Sequence, residues 1–253
     1  MAEKPHVLVL GGTADAVSLA GTAASDYRVT YSLAGRTVAP RLPENVAIRT
    51  GGFGGADALA DWIRDNGVAA VVDATHTYAD TIAANAAAAC ADAAVPGLKL
   101  LRAAWEEVPG DDWRQAADAA DAAAQLPGLG KAAFLAIGRQ DLPAFAGIDG
   151  MRFLIRTVDA LPEAPFAAAV YLTDRGPFSA EAEEALLREH GIDVVVSRNA
   201  GGASTYGKIS AARRLGLPVV MIARPAPPPG DKAADIVGAL AWIAKATGGE
   251  RNG

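Results

Sequence analysis

Cysteine and histidine are scarce in this chain, and their scarcity removes whole classes of function. One cysteine, Cys90, stands alone among 253 residues. It cannot form an internal disulfide, so a reducing, cytoplasmic setting is expected. Cys90 sits in an alanine-rich run and reads as a small buried apolar residue. The three histidines, His6, His76 and His190, share no metal-ligand spacing with Cys90 or with carboxylates, and no metal is expected. Basic excess is also missing. Lys and Arg number 23 against 29 Asp and Glu, giving a net charge of −6, which argues against a nucleic-acid partner. No segment approaches the roughly 18 consecutive apolar residues of a membrane span. Glu3 and Lys4 precede only a short apolar run ended by Gly11 and Gly12, so neither a membrane partner nor a signal peptide is expected.

What is present is apolar and regularly patterned. The chain is 51% hydrophobic, which excludes a disordered chain. Its length suits one large domain or two smaller ones. β-Branched runs at His6–Leu10, Arg28–Ser32, Ala47–Thr50, Ala69–Asp73 and Leu98–Leu101 read as strands. Helical patterns at Asp15–Ala24, Ala56–Asn66 and Tyr78–Ala94 alternate with them. Trp105–Trp113, with acids, Pro109 and Gly110, reads as a linker. A second series then begins with a helix at Arg114–Gln125. Strands follow at Ala132–Ile137, Phe153–Arg156, Ala168–Thr173, Asp193–Ser197 and Pro218–Ile222, with helices at Ser179–His190, Ser204–Leu215 and Lys232–Thr247. Strand–helix alternation predicts parallel sheets covered by helices, in two α/β domains, 1–105 and 106–253, with a ligand cleft between them.

Open parallel sheets bind ligands beyond the carboxyl ends of their strands, and the unusual loops of this sequence fall there. The longest is Asn199-Ala200-Gly201-Gly202-Ala203-Ser204-Thr205-Tyr206-Gly207-Lys208, where glycines let a ligand approach the backbone and a helix start offers free N–H groups to an anion. Gly11-Gly12-Thr13 has the same plan in the first half; a tight strand-to-helix turn is an equally good reading of it. Ser32-Leu33-Ala34-Gly35-Arg36 closes the next strand. Dinucleotide sites often place an acid there for the ribose hydroxyls; Arg36 instead suits a 2′-phosphate and favours NADPH. Gly51-Gly52-Phe53-Gly54-Gly55 would let a flat ligand pass close by while Phe53 stacks or plugs. Asp73-Ala74-Thr75-His76 ends a buried strand; Thr75 can cap the following helix, and His76 can move a proton. Gly138-Arg139-Gln140 and Asp174-Arg175-Gly176-Pro177-Phe178 each place an arginine beyond a strand. With Arg36, Arg41, Arg198 and Lys208 they form a cationic set suited to a ligand with several carboxylates or phosphates. No nucleophilic triad is present, and Tyr206 with Lys208 is not the Tyr-x-x-x-Lys pair of short-chain dehydrogenases.

Taken in order, these blocks resemble the precorrin-6A reductase family of cobalamin biosynthesis. The carrying residues are Leu8 to Thr13, Ser32 to Arg36, Asp73 to His76, Gly138-Arg139-Gln140, Asp174 to Phe178, Asn199 to Lys208 and Leu215 to Pro225; Thr77 and Ala200 depart from the pattern. The resemblance implies two Rossmann-like halves and NADPH-dependent reduction of a macrocyclic double bond, giving precorrin-6B. It implies a cofactor site of Gly11, Gly12, Thr13, Ser32, Gly35, Arg36, Gly52 and Thr75. It implies substrate contacts at Arg139, Gln140, Arg175, Gly176, Asn199, Gly201, Gly202, Ser204 and Thr205, against a flat tetrapyrrole rimmed with carboxylates. His76, Tyr206 and Lys208 are the candidate proton donors, and neighbouring cobalamin-pathway enzymes are candidate partners. A cobalt-containing form of the substrate, a nucleotide-sugar-dependent transferase and a non-catalytic NADPH-binding module stand as alternatives.

Overall fold

In the computed structural model, which describes residues 3–35, 37–161, 166 and 168–248, the chain forms two compact units. Unit 1 comprises residues 1–102 and 225–253; unit 2 comprises Ala103–Arg224.

Unit 1 is built on β1 (His6–Leu10), β2 (Arg28–Leu33), β3 (Ala47–Thr50), β4 (Val68–Asp73), β5 (Gly97–Leu100) and β12 (Asp231–Ala233), in the order β12-β5-β4-β1-β2-β3. Every pairing is parallel. Read from the β3 edge with β12 as the sixth strand, this is 3-2-1-4-5-6, the order of doubly wound dinucleotide-binding sheets. The helices are α1 (Ala14–Ala23), α2 (Ala56–Asp65), α3 (Asp80–Ala93) and α7 (Ile236–Ala246). All five β1 side chains are buried, as a central parallel strand covered on both faces requires. Its alternation divides the core. Val7 and Val9 pack with Leu19, Tyr31 and Ile243, towards α1 and α7. Leu8 and Leu10 pack with Leu59, Ile63 and Cys90, towards α2 and α3.

Unit 2 repeats the plan. Its strands β6 (Trp113–Ala116), β7 (Ala132–Ala136), β8 (Arg152–Thr157), β9 (Ala169–Thr173), β10 (Val194–Arg198) and β11 (Val219–Ile222) run in the order β6-β11-β10-β7-β8-β9, again all parallel. The helices are α4 (Ala119–Gln125), α5 (Ala180–Glu189) and α6 (Gly207–Leu215). Two short 3-10 helices, Leu126–Gly128 and Arg139–Phe145, complete it. Phe134, Leu154, Leu187, Val195 and Ile209 are the centre of one core cluster.

The two short edge strands depart from expectation. Residues 114–116 begin the second series as a strand, β6, paired with β11, instead of a helix. Asp231–Ala233 form β12 on the edge of β5, where a helix start was expected. Both are too short for apolar alternation to reveal them. Their consequence is a strand exchange along the chain: each sheet's sixth strand follows the other unit's fifth. The expected boundary near residue 105 lies close to the first crossing. The expected assignment of everything after it to one domain does not hold, because residues 225–253 return to unit 1, where Leu101 donates to the Ala233 carbonyl and α7 joins the β1 core.

Candidate active site

In unit 1 the turn from β1 to α1 carries Gly11, Gly12 and Thr13. The Gly11 amide donates to the Ser32 carbonyl at 2.8 Å. A side chain on Gly11 would collide with the Tyr31 ring, so close packing alone demands glycine there. Gly12 has φ +118° with nothing within 4 Å of where a Cβ would stand; its requirement is conformational and leaves open space above it. Its amide donates to the Tyr31 hydroxyl at 3.0 Å. The Thr13 hydroxyl accepts from the Ala16 amide at 3.1 Å as the N-cap of α1 and donates to the Ala74 carbonyl at 2.9 Å. It is therefore committed to the fold, and the α1 amides of Ala14 and Asp15 are the ones without intrahelical partners. Asp15 in that first turn is ion-paired with Arg102, so its charge is balanced.

Beside this turn, at the ends of β4 and β5, Lys99 and Asp73 are buried at 6% and 5% exposure. Lys99 Nζ donates to Asp73 Oδ2 at 2.9 Å and to the Thr75 hydroxyl and carbonyl, both at 3.2 Å. Asp73 Oδ1 accepts from the Thr75 amide and hydroxyl. Thr75 thus belongs to a buried ionic network and does not cap α3, which begins only at Asp80. His76 is exposed; its Nδ1 accepts from the Tyr78 amide at 3.3 Å and its ring lies 5.7 Å from that of Tyr78.

Ser32 is buried and accepts at Oγ from Arg49, its partner in β3 register, at 3.4 Å. Arg49 also donates to the carbonyls of Gly51 at 2.6 Å and Gly52 at 3.0 Å. Its guanidinium lies over the Phe53 ring at 3.6 Å, and that ring meets Trp62 edge-on. The expected stacking face of Phe53 is therefore occupied by Arg49. Arg36 lies outside the described residues. Gly35, with φ +75°, ends the Ser32–Gly35 turn.

In unit 2 the loop after β10 is organised around Trp105. Asn199 exchanges two hydrogen bonds with the Trp105 backbone, at 2.8 and 2.9 Å. The Trp105 indole donates to the Gly202 carbonyl at 2.8 Å. Gly201, at φ +71°, leaves no room for a side chain beside the Ala103 carbonyl and the Arg224 guanidinium. The predicted linker is thus tightly held: Trp105 is locked by this loop, and Asp111, its side chain 1% exposed, pairs with Arg213 at 2.8 Å. Arg213 also donates to the Tyr206 hydroxyl at 2.7 Å, and Tyr206 packs edge-on against Trp105 at 5.5 Å.

Lys208, in the first turn of α6, is 4% exposed. Its Nζ donates to the Thr205 carbonyl at 2.8 Å and lies 5.1 Å from the centre of the Trp105 ring. Burial, then the Arg156 charge, push its pKa down to about 7, against a smaller opposing effect of Glu183. Arg156 and Glu183 form a buried bidentate pair at 2.5 and 2.8 Å, with Arg156 3.6 Å from the Phe178 ring centre and 4.9 Å from that of Phe134. Phe178 donates its amide to the Ser204 carbonyl and so ties this cluster to the loop. Tyr206, Lys208 and Thr205 are therefore gathered in one site, while His76 belongs to unit 1. Gly176 packs against the Ser204 carbonyl and Phe178.

Arg139 and Gln140 are exposed at the start of the 3-10 helix after β7, and Arg175 is half-buried after β9. Arg198 is committed to Asp141 at 2.5 Å. Arg49, Lys99, Trp105, Arg156, Glu183 and Arg213 were not singled out by sequence. Their partners lie far along the chain, and only the strand-end positions of Lys99, Arg49 and Arg156 carried a local signal. Among the described residues no group of three or more His, Cys, Asp or Glu side chains could hold a metal ion, and no helix is long and apolar enough to cross a membrane.

Paired parallel sheets with glycine-rich turns and arginines at their carboxyl edges place the chain in the α/β class whose strand-end loops receive small ligands. A family model described as precorrin-6x reductase CbiJ/CobK matches residues 6–244. A precorrin-6A reductase of Rhodococcus erythropolis is 47% identical over 96% of this chain and 98% of its own length. A solved structure described as CobK precorrin-6A reductase superposes with a TM-score of 0.90 at 42% identity, covering 96% of this chain and 97% of that one. A cobalt-precorrin-6A reductase of Priestia megaterium is more distant, 29% identical over 87% of this chain and 90% of its own. The chain belongs to the precorrin-6x reductase CbiJ/CobK family, a family of oxidoreductases. The transferase alternative falls with that membership.

Proposed function

We propose that this protein reduces one carbon–carbon double bond of precorrin-6A with NADPH, giving precorrin-6B in cobalamin biosynthesis. The observation that carries the reading is the near full-length likeness to a relative named precorrin-6A reductase. The metal-free substrate is favoured over its cobalt form because that relative, at 47% identity, is closer than the cobalt-precorrin-6A reductase at 29%.

Unit 1 fits a dinucleotide: its strand order, the open space over Gly12 and the free amides opening α1 suit a pyrophosphate. Gly11, Gly12, Thr13, Ser32, Gly35, Arg36, Gly52 and Thr75 are the proposed contacts, with Gly11, Thr13 and Thr75 acting through the shape they impose. When bound, NADPH supplies the hydride.

In unit 2, Arg139 and Arg175 carry charge that no carboxylate of the described residues neutralises, which suits the carboxylate rim of a tetrapyrrole. Gln140, Gly176, Ser204 and Thr205 complete the proposed substrate contacts. Asn199, Gly201 and Gly202 serve by holding Trp105 and the loop. Lys208 is the favoured proton donor, since a pKa of about 7 lets Nζ hold a proton and release it near neutrality. Tyr206, whose oxygen accepts from Arg213 and whose own O–H remains available, and the exposed His76 are the other candidates.

The test is to incubate purified protein with NADPH and precorrin-6A or its cobalt form, following NADPH consumption and product mass. Consumption coupled to a product two hydrogens heavier, faster with the metal-free substrate, is expected; no consumption with either refutes the reading.

A further inference from the structure

We infer that Arg49 reads the 2′-phosphate of the dinucleotide and so sets the preference for NADPH over NADH. The inference deepens, and rests on, the proposal that NADPH binds in unit 1.

Three observations carry it. The first is position. Arg49 lies at the carboxyl end of β3, in register with Ser32 at the end of β2. In a sheet of this order the adenosine half of a dinucleotide lies over that side, and the group after β2 meets the ribose. The second is charge. The guanidinium makes three hydrogen bonds, to two carbonyls and one hydroxyl. Among the described residues no carboxylate pairs with it. A half-buried cation without a counter-ion is unfavourable in the free protein, and burial already pushes its pKa down. Arg102, the other partly buried arginine among the described residues of unit 1, is balanced by Asp15. Among the described arginines of unit 1, Arg49 is the partly buried one that gains from an arriving anion.

The third is rigidity. The Gly51 and Gly52 carbonyls and the Phe53 face hold the fork in one plane. A planar guanidinium fixed this way suits bidentate recognition of a phosphomonoester. Gly52 meets nothing within 4 Å where a Cβ would stand, so the protein itself does not require glycine there, whereas a ligand passing close would.

The experiment uses the whole protein and binding alone. NADPH, NADH, 2′,5′-ADP and 5′-ADP are titrated into wild type, Arg49→Ala and Arg49→Lys, with thermal unfolding recorded for each. Loss of charged hydrogen bonds predicts that Arg49→Ala weakens NADPH and 2′,5′-ADP about 10- to 150-fold. NADH and 5′-ADP should change less than about 3-fold, within the few tenths of a kcal/mol left by a loop adjustment. Arg49→Lys keeps the charge without the fork and should fall between, and its native unfolding temperature keeps the test valid if the alanine variant loosens the loop. Equal weakening of phosphorylated and unphosphorylated ligands would show that Arg49 only shapes the loop and would overturn the inference. Unchanged selectivity would overturn it too. Wild-type protein that binds neither NADPH nor 2′,5′-ADP would instead defeat the cofactor reading beneath it.

Discussion

Substituting Glu183 by Gln should destabilise unit 2 far more than its single-atom change suggests. The carboxylate is 3% exposed and the guanidinium it meets is 7% exposed, with both oxygens engaged at 2.5 and 2.8 Å. Glutamine keeps the shape but removes the charge, leaving Arg156 buried between Phe134 and Phe178. Removing one partner of a buried pair costs about 3–5 kcal/mol, because the remaining charge is desolvated without compensation. Urea unfolding followed by hydrogen exchange in peptides spanning β8 and α5 reads this locally. The double variant Arg156→Met with Glu183→Leu should recover most of the loss, since a packed apolar pair often replaces a buried ionic one without penalty. The same substitution has a functional signature. Glu183 favours the charged form of Lys208 while Arg156 opposes it, so without Glu183 the lysine titrates at lower pH, and the activity limb that depends on its proton moves the same way. A loss below about 1 kcal/mol, the range of exposed pairs, would refute the burial argument.

Four further outcomes can be checked. Lys208→Met should abolish proton-dependent turnover and remove a pH slope in stability. With a folded pKa of about 7 against an ordinary 10.5, the unfolded chain holds a proton that the folded chain has released throughout that window, so wild-type stability rises with pH there. The gain between about pH 7 and about pH 9 should be roughly 2 kcal/mol, and a flat profile in wild type would contradict the burial of Nζ. Asp73→Asn leaves Lys99 uncompensated and should cost about 3–5 kcal/mol, read as a lower urea midpoint; a change within error would refute it. Gly11→Ala should cost about 1–3 kcal/mol through the clash with Tyr31 and be partly rescued by Tyr31→Leu. Deleting residues 225–253 should unfold unit 1 and not merely trim it; a truncated chain with native circular dichroism would show that β12 and α7 are dispensable.

Much of the fold could be read from the sequence because central parallel strands are apolar on both faces. The five β1 residues His6–Leu10 and the run Val194–Val196 mark themselves. Edge strands do not. β6 reads Trp-Arg-Gln-Ala and β12 reads Asp-Lys-Ala; each is half exposed and defined by its neighbour's backbone, which no local pattern encodes. The same division applies to the site. Glycine turns and strand-end arginines are local signals, and they mark the loops in which the candidate site is built. Lys208 stands two residues from Tyr206, yet its burial depends on Trp105, Arg156 and Glu183, which lie up to 103 positions away in the sequence. Arg49 gives no such signal, because the edge strand Ala-Ile-Arg-Thr carries no hint that its guanidinium lacks an acid.

The strand exchange bears on the order in which a growing chain can acquire structure. When the ribosome has delivered the first 102 residues, unit 1 still lacks β12 and α7, so the face that Leu98, Leu100 and Leu19 share with Ile243 is uncovered. It stays so through the synthesis of all of unit 2, whose own edge strand β6 is made before the sheet it will join. The first unit begun is thus the last one finished, and it, unlike the unbroken Ala103–Arg224 stretch of unit 2, cannot be passed to another gene as a contiguous cassette.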